Sequence, residues 1–360
     1  MDPSRLILYP DILPAPWGLF YLLLVITFTL HLILANIMLG GGIVALASEW
    51  LMRRRENEGV SMHGEIAPKL PMTIALTVNL GIPPLLFLQI LYGNFIYVST
   101  VLMAVYWLSI FVLIILAYYG AYLYNLKYDR LGTSRLWVMG VSVLMLLAVG
   151  FFFTNSLLIM TDPKVWPSYF DRPGGTLIHF GEPSLIPRYL HFVISSVAVG
   201  GLAMGLLGWW RRRKGDLAGG ERLSRGLRLY AGATLVQFLV GAFYLGTLPN
   251  QVLARVAFED TAAMVVFVIS IATALSSILY SMSGKPWHTS VCAVATIFFM
   301  VLFRYAVQNA YLETYLSTVK PEVVLQLGPL GLFIAALIGG TTAVVYLLKL
   351  ALRPRKEFPL

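Results

Sequence analysis

Nine predominantly apolar stretches of about twenty residues run through this chain of 360 residues, and each is long enough to cross the roughly 30 Å of a bilayer's hydrocarbon core. They lie near 18–47, 72–95, 99–125, 136–160, 188–209, 229–248, 260–280, 290–312 and 328–349. In lipid every backbone polar group must be satisfied internally, and runs of this length are too long for barrel strands. The expected fold is therefore an all-α, polytopic bundle of nine transmembrane helices forming one membrane domain over 1–360. Composition agrees: 58% of the residues are hydrophobic and only 12% are charged, well above the apolar share of about 45–50% in soluble domains.

The net charge of +9 would suggest nucleic acid as a partner in a soluble protein. Here the basic residues sit beside apolar spans and read as a topology signal. Arg53, Arg54, Arg55 and Lys69 follow span one, Lys127, Arg130 and Arg135 follow span three, and Arg211 to Arg228 follow span five. Lys285 follows span seven and Lys349 to Lys356 follow span nine. All five groups fall on one side, which the positive-inside rule makes cytoplasmic, so the N-terminus is expected outside and the C-terminus inside. Asp2 and Arg5 precede span one without a basic n-region and cleavage site, so no removable signal peptide is read.

The longest connection on the opposite side, 161–187, holds Pro163, Pro167, Pro173, Gly174, Gly175 and Pro183 with Trp166 and Tyr169, and reads as an ordered external cap with interfacial aromatics. No soluble segment exceeds about thirty residues, so chemistry must lie in the bundle or on partners. Cys292 is the only cysteine. That excludes an internal disulfide, a cysteine-rich iron–sulfur or zinc site and c-type haem attachment, leaving His or Met to hold any haem.

Two histidines lie inside spans, His31 in TFTLHLILANIMLGGG and His191 in PRYLHFVISSVAVGG. Ionisable residues in hydrocarbon are rare, and neutral imidazole is a strong iron ligand. His191 lies within about one turn of the outer surface, and Met264, shortly after the start of span seven, lies at nearly the same depth. A His and a Met facing one another form an axial pair for a low-spin b-type haem; the alternative is a histidine bonded to a carbonyl and a methionine filling core. Arg188, one turn before His191, suits a haem propionate. His31 is near mid-membrane, followed by Asn36 and by Gly40, Gly41 and Gly42, a small-residue face that permits close approach of a helix or macrocycle. A plain interhelical hydrogen bond is the competing role. His63, His179 and His288 fall in loops or at span ends and read as solvated.

Apart from these histidines, the inner parts of the spans hold one ionisable residue, Arg304, placed one to two turns from the outer end of span eight. A propionate would neutralise it, with Gln308 and Asn309 adding donors, unless it extends outward past Tyr311. Gln89, Tyr92 and Asn94 form a polar patch facing a haem or quinone head group, or a helix cap. The lack of intramembrane carboxylates counts against proton pumps and ion-coupled transporters, and no internal repeat supports an inverted-repeat transporter.

Together these segments resemble subunit I of the cytochrome bd quinol oxidase family. Nine spans with the N-terminus outside match its topology. His31 with Gly40 resembles the family's ligand histidine and downstream glycine. TVNLGIPPLLFLQILYGN is similar to the family's second span, with Asn79, Gly81, Gln89, Gly93 and Asn94 on matching positions. RYLHFVISSVAVGGLAMG resembles the segment around the low-spin haem histidine, which places that role on His191, and Met264 falls where the family has its methionine ligand. The departures matter more. STVLMAVYWLSIFVL lacks the family's proton-delivering glutamates in span three, Arg304 stands roughly where span eight has a Glu, and LPNQVLARVAFED replaces the long quinol-binding loop.

Oxygen reduction needs proton delivery to a high-spin haem, so these losses point away from a terminal oxidase. The resemblance implies a b-type cytochrome of a prokaryotic inner membrane with two b haems, ligated by His191 with Met264 and by His31. Arg188, Arg304, Gln89 and Asn94 would surround them. Electrons would pass between the quinone pool and an outer-face multihaem c-type or iron–sulfur partner of a respiratory chain. Asn250, Gln251, Arg255, Glu259 and Asp260 are the candidate quinone residues. The alternatives are a functional bd-type quinol oxidase and a haem-free membrane anchor or transporter subunit.

Overall fold

The computed structural model describes residues 12–54, 68–171, 173–316 and 322–351. Among them, nine helices are long and apolar enough to cross a membrane: α1 (Trp17–Arg54), α2 (Leu70–Leu102), α3 (Ala104–Leu126), α4 (Arg135–Thr161), α5 (Leu185–Arg213), α6 (Gly219–Gly246), α7 (Thr261–Met282), α8 (Pro286–Leu316) and α9 (Leu327–Ala351). No strand longer than an isolated bridge occurs among the described residues. The chain is a multi-pass helical membrane protein. Arg55, His63, Asp2, Arg5 and the basic residues after 351 lie outside the described segments.

Several helices outrun the expected apolar stretches because amphipathic sequence continues them. α1 reaches Arg54, so Glu49 falls inside the helix, and α8 reaches Leu316 through ETYL. α6 starts at Gly219 rather than near 229, since the Glu221–Arg225 pair, one turn apart, supports its first turns. The tight link before it is pinned by Asp216, which accepts from the Ala218 N–H and pairs with Arg222 at 3.0 Å. The hydrogen bond from the Ala218 backbone, with Arg222 and Arg211 nearby, holds the Asp216 carboxyl below its usual range.

Central α1 packs on α2, α5, α4 and α8, while α5 with α6, α7 with α8 and α3 with α4 form the other extensive pairs. The α1–α5 crossing depends on glycine. A Cβ on Gly40 would lie 1.8 Å from the Ser196 carbonyl oxygen, and one on Gly200 would lie 2.5 Å from the Gly40 carbonyl carbon. Asn36 locks the crossing, donating to Ser195 Oγ at 3.3 Å and accepting from Ser196 Oγ at 2.8 Å. The α5–α6 contact is equally close, with Gly205 against Gly226. Without a hydrophobic drive between helices in lipid, such backbone approach and buried polar bonds hold a bundle together.

The connection after α4 forms a cap over one end of the bundle, the cap end; the opposite, arginine-rich end is the basic end. A 3₁₀ helix, Pro163–Tyr169, buries Trp166, whose indole donates to the Ile159 carbonyl at 2.9 Å and meets Phe95 edge-on. Trp166 is thus a core residue rather than an interfacial one. Beyond it, Leu177 N–H bonds Leu102 O, and Val105 N–H bonds Gly175 O, tying the cap to the α2–α3 junction. α9 stands apart. All its described side chains except Leu330 are exposed, and its ties are the Leu13–Val323 bridge, Leu330 against the core and the Phe87–Phe333 contact.

The crossing predicts that Gly200→Leu prevents recovery of monodisperse protein, whereas Gly232→Ala, at a position with open space, leaves size-exclusion profile and thermal midpoint unchanged.

Candidate functional site

His31 lies fourteen residues into α1, about 21 Å from its cap end. Its Nδ1 lies 3.1 Å from the Thr77 carbonyl of α2. A carbonyl only accepts, so Nδ1 carries the hydrogen and the neutral ring keeps its Nε2 lone pair. The ring is seated by Gly81 of α2, where a Cβ would come within 3.0 Å of Cε1.

Arg304 belongs to this neighbourhood. Because α8 runs to Leu316, Arg304 is twelve residues from that end, deeper than the one to two turns expected and close to the depth of His31. Its guanidinium carbon sits 4.9 Å from the ring centres of both Phe28 and Tyr305, and the Phe28 ring is 6.3 Å from that of His31. Among the described residues no carboxylate pairs with Arg304, and its buried Nη1 has no hydrogen-bond partner. Gln308, one turn on, buries an unpartnered Nε2. Asn309 is used structurally, accepting from Tyr92 Oη at 2.7 Å. α2 departs from helical geometry at Tyr92, which is buried, while Gln89 faces outward from the bundle. Asn94 is half-buried, so the expected Gln89–Tyr92–Asn94 patch is divided rather than gathered.

His191 sits six residues into α5 from the cap end. Its Nδ1 is buried with no hydrogen-bond partner among the described residues. The ring edge lies against Gly241 of α6, where a Cβ would approach Cε1 to 3.5 Å. Gln237 donates to the His191 carbonyl at 2.8 Å, leaving its own Oε1 unpartnered. Arg188 donates to Tyr244 Oη at 3.0 Å and lies over that ring. Met264 is at the same end on α7 but 42% exposed. α5 and α7 share no extensive face, and α6 packs on both.

The candidate quinone residues lie along the connection between α6 and α7, and several of them are engaged within it. Asn250 and Gln251 are exposed on a short helix, and a π-helical turn, Arg255–Glu259, follows. Arg255 pairs with Glu259 at 3.3 Å and Glu313 at 3.0 Å. Asp260 is the N-cap of α7, its Oδ1 accepting from Ala263 N at 3.0 Å.

Two groups escaped sequence reading. Glu49, 3% exposed near the basic end of α1, accepts from Tyr124 and Tyr128 hydroxyls at 2.8 and 2.5 Å and pairs with Arg135 Nε at 3.0 Å. A carboxylate two residues past a predicted span was its only signal. At the cap end, Asp162, His179 and Glu182 converge, although His179 reads as solvated in sequence.

The chain matches no protein-family model and no curated protein.

Removing one partner of a buried ion pair leaves the other charge uncompensated. Glu49→Ala is expected to cost about 3–5 kcal/mol, seen as a large fall in thermal midpoint in detergent. Glu221→Ala, which breaks an exposed pair, is expected to change stability by less than about 1 kcal/mol.

Proposed function

We propose that this chain is a membrane-embedded b-type cytochrome subunit that carries electrons between the quinone pool and a partner redox protein in a prokaryotic inner membrane. The observation that carries the reading is the pair of intramembrane histidines with free coordinating capacity. Among the described residues nothing bonds the buried His191 Nδ1, and His31 is held as the tautomer that leaves Nε2 its lone pair. Burying an unpaired polar nitrogen is costly, so a site that retains one is built for something else to complete it.

The residues fit haem. His31 would hold one iron and His191 another, with Met264, 42% exposed at the same end of the bundle, as the further candidate ligand carried over from the resembled family. Haem, when bound, supplies a one-electron carrier whose potential depends on its axial ligands and surroundings. The Thr77 carbonyl orients His31 and makes its ring a better donor, the role that outer-shell partners play at metal sites. Gly81 and Gly241 let the two rings pack closely against α2 and α6. Arg304 brings an uncompensated cation to the depth of His31, where an acidic group of a cofactor would neutralise it. Arg188 offers a second cation one turn from His191.

In this reading the cap end faces outside, set by the basic residues of the opposite end. The outer-face redox partner in this reading is a protein bearing c-type haems or iron–sulfur clusters. Quinone exchange belongs near the α6–α7 connection. With Asp260, Arg255 and Glu259 engaged structurally, the exposed Asn250 and Gln251 are the groups left to contact it. The His31–Thr77 bond also favours a second reading, a haem-free anchor in which that histidine only joins α1 to α2.

Variants separate the readings. His191→Ala is expected to abolish the low-spin b-type band in the dithionite-reduced spectrum while the protein stays monodisperse, and His31→Ala to lower haem per chain by about half. Unchanged spectra in both variants would contradict the proposal.

A further inference from the structure

The cap carries a second constellation that the electron-transfer reading does not use. Asp162 ends α4, His179 sits in the extended part of the cap, and Glu182 precedes α5. One donor atom from each lies within 4.8 Å of the other two. His179 Nε2 is 3.2 Å from Asp162 Oδ2, with the side chains 18% and 28% exposed, so the cluster is half-buried with an opening outward. The hydrogen bond from His179 holds the Asp162 carboxyl below its usual range, and the Lys164 backbone and ammonium act in the same direction.

Each donor is fixed from outside the cluster. The His179 backbone N–H bonds Oδ1 of Asn155, a fully buried residue of α4 whose Nδ2 contacts Met103 Sδ at 3.7 Å. Ser184 donates to Glu182 Oε1 at 2.8 Å, and the Glu182 N–H turns back onto the His179 carbonyl. Asp162 receives its position from the last turn of α4. Three elements thus deliver one imidazole nitrogen and two carboxylate oxygens to one spot, with Lys164 as the flanking cation.

We infer that Asp162, His179 and Glu182 form a binding site for a divalent transition-metal ion at the cap end of the bundle. One nitrogen with two carboxylate oxygens suits Zn²⁺ and its neighbours better than Ca²⁺, which takes oxygen ligands. Three protein ligands leave a position for water or an incoming group. His179 Nε2 and Asp162 Oδ2, 3.2 Å apart, already sit at the spacing of two ligands about 2.0–2.2 Å from Zn²⁺, so loading needs no more than a rotamer-scale adjustment of the cluster. The ion would bind the end of α4, the cap and the start of α5 together, over the end where His191 lies, and its binding would stabilise the folded state by mass action.

The test is equilibrium dialysis of the purified full-length chain against Zn²⁺, with metal per chain read by elemental analysis and haem read in parallel. The wild type is expected to take up one Zn²⁺ saturably and to melt at a higher temperature with it. His179→Gln and Glu182→Gln are each expected to weaken uptake tenfold or more and to remove the thermal shift, with circular dichroism and haem content unchanged. Glu182→Gln keeps the His179–Asp162 bond, so it reports on the metal even where His179→Gln disturbs the cap. A wild type that takes up no Zn²⁺, or folded variants that take up as much as the wild type, would overturn the site. Neither result bears on the haem reading.

Discussion

At Gly40 the backbone of α1 lies so close to that of α5 that neither Gly40 nor Gly200 has room for a methyl group. In lipid, where hydrocarbon is no worse a neighbour than leucine, contact of this kind decides which helices pair. Asn36, bonded to Ser195 and Ser196, adds direction to that contact. Because α1 also packs on α2, α4 and α8, the crossing fixes the helix of His31 and the helix of His191 in one frame. The Gly205–Gly226 approach then brings α6 to His191, with Gly241 against its ring and Gln237 on its carbonyl.

Within that frame the buried polar groups divide into two kinds. Glu49 at the basic end is compensated, with two phenols and a guanidinium on one carboxylate, and it joins α1, α3, the turn after α3 and α4. The groups nearer the cap end are different. His191 Nδ1, Gln237 Oε1, Arg304 Nη1, Gln308 Nε2 and Tyr311 Oη are buried without a partner among the described residues. Stability alone would select against such a set, since each unpaired group costs on the order of 1–3 kcal/mol. They lie on α5, α6 and α8, and under the proposed function a cofactor would complete them.

The nine helices were legible in the sequence because twenty-residue apolar runs have few alternatives. Their ends were less so, since GGERLSRGLR before α6 and ETYL in α8 are too polar to count as span yet continue the helix. The depth of Arg304 changed for that reason. Side-chain neighbours were mostly illegible. Helices apolar on every face give no periodic signal to separate lipid from protein, so the exposure of Gln89 and Met264, the isolation of α9 and the burial of Trp166 emerge only in three dimensions. The histidines stood out as polar exceptions. Glu49 escaped by two residues, and the Asp162–His179–Glu182 group because its members are separated by loop.

The central claim is that the bundle holds haem, and the most direct measurement is a dithionite-reduced minus oxidised visible spectrum of the purified chain with pyridine haemochrome quantitation. Two b-type haems per polypeptide, without a high-spin oxygen-reactive band, is the predicted result. A colourless protein would contradict the account and leave both histidines as helix-packing residues.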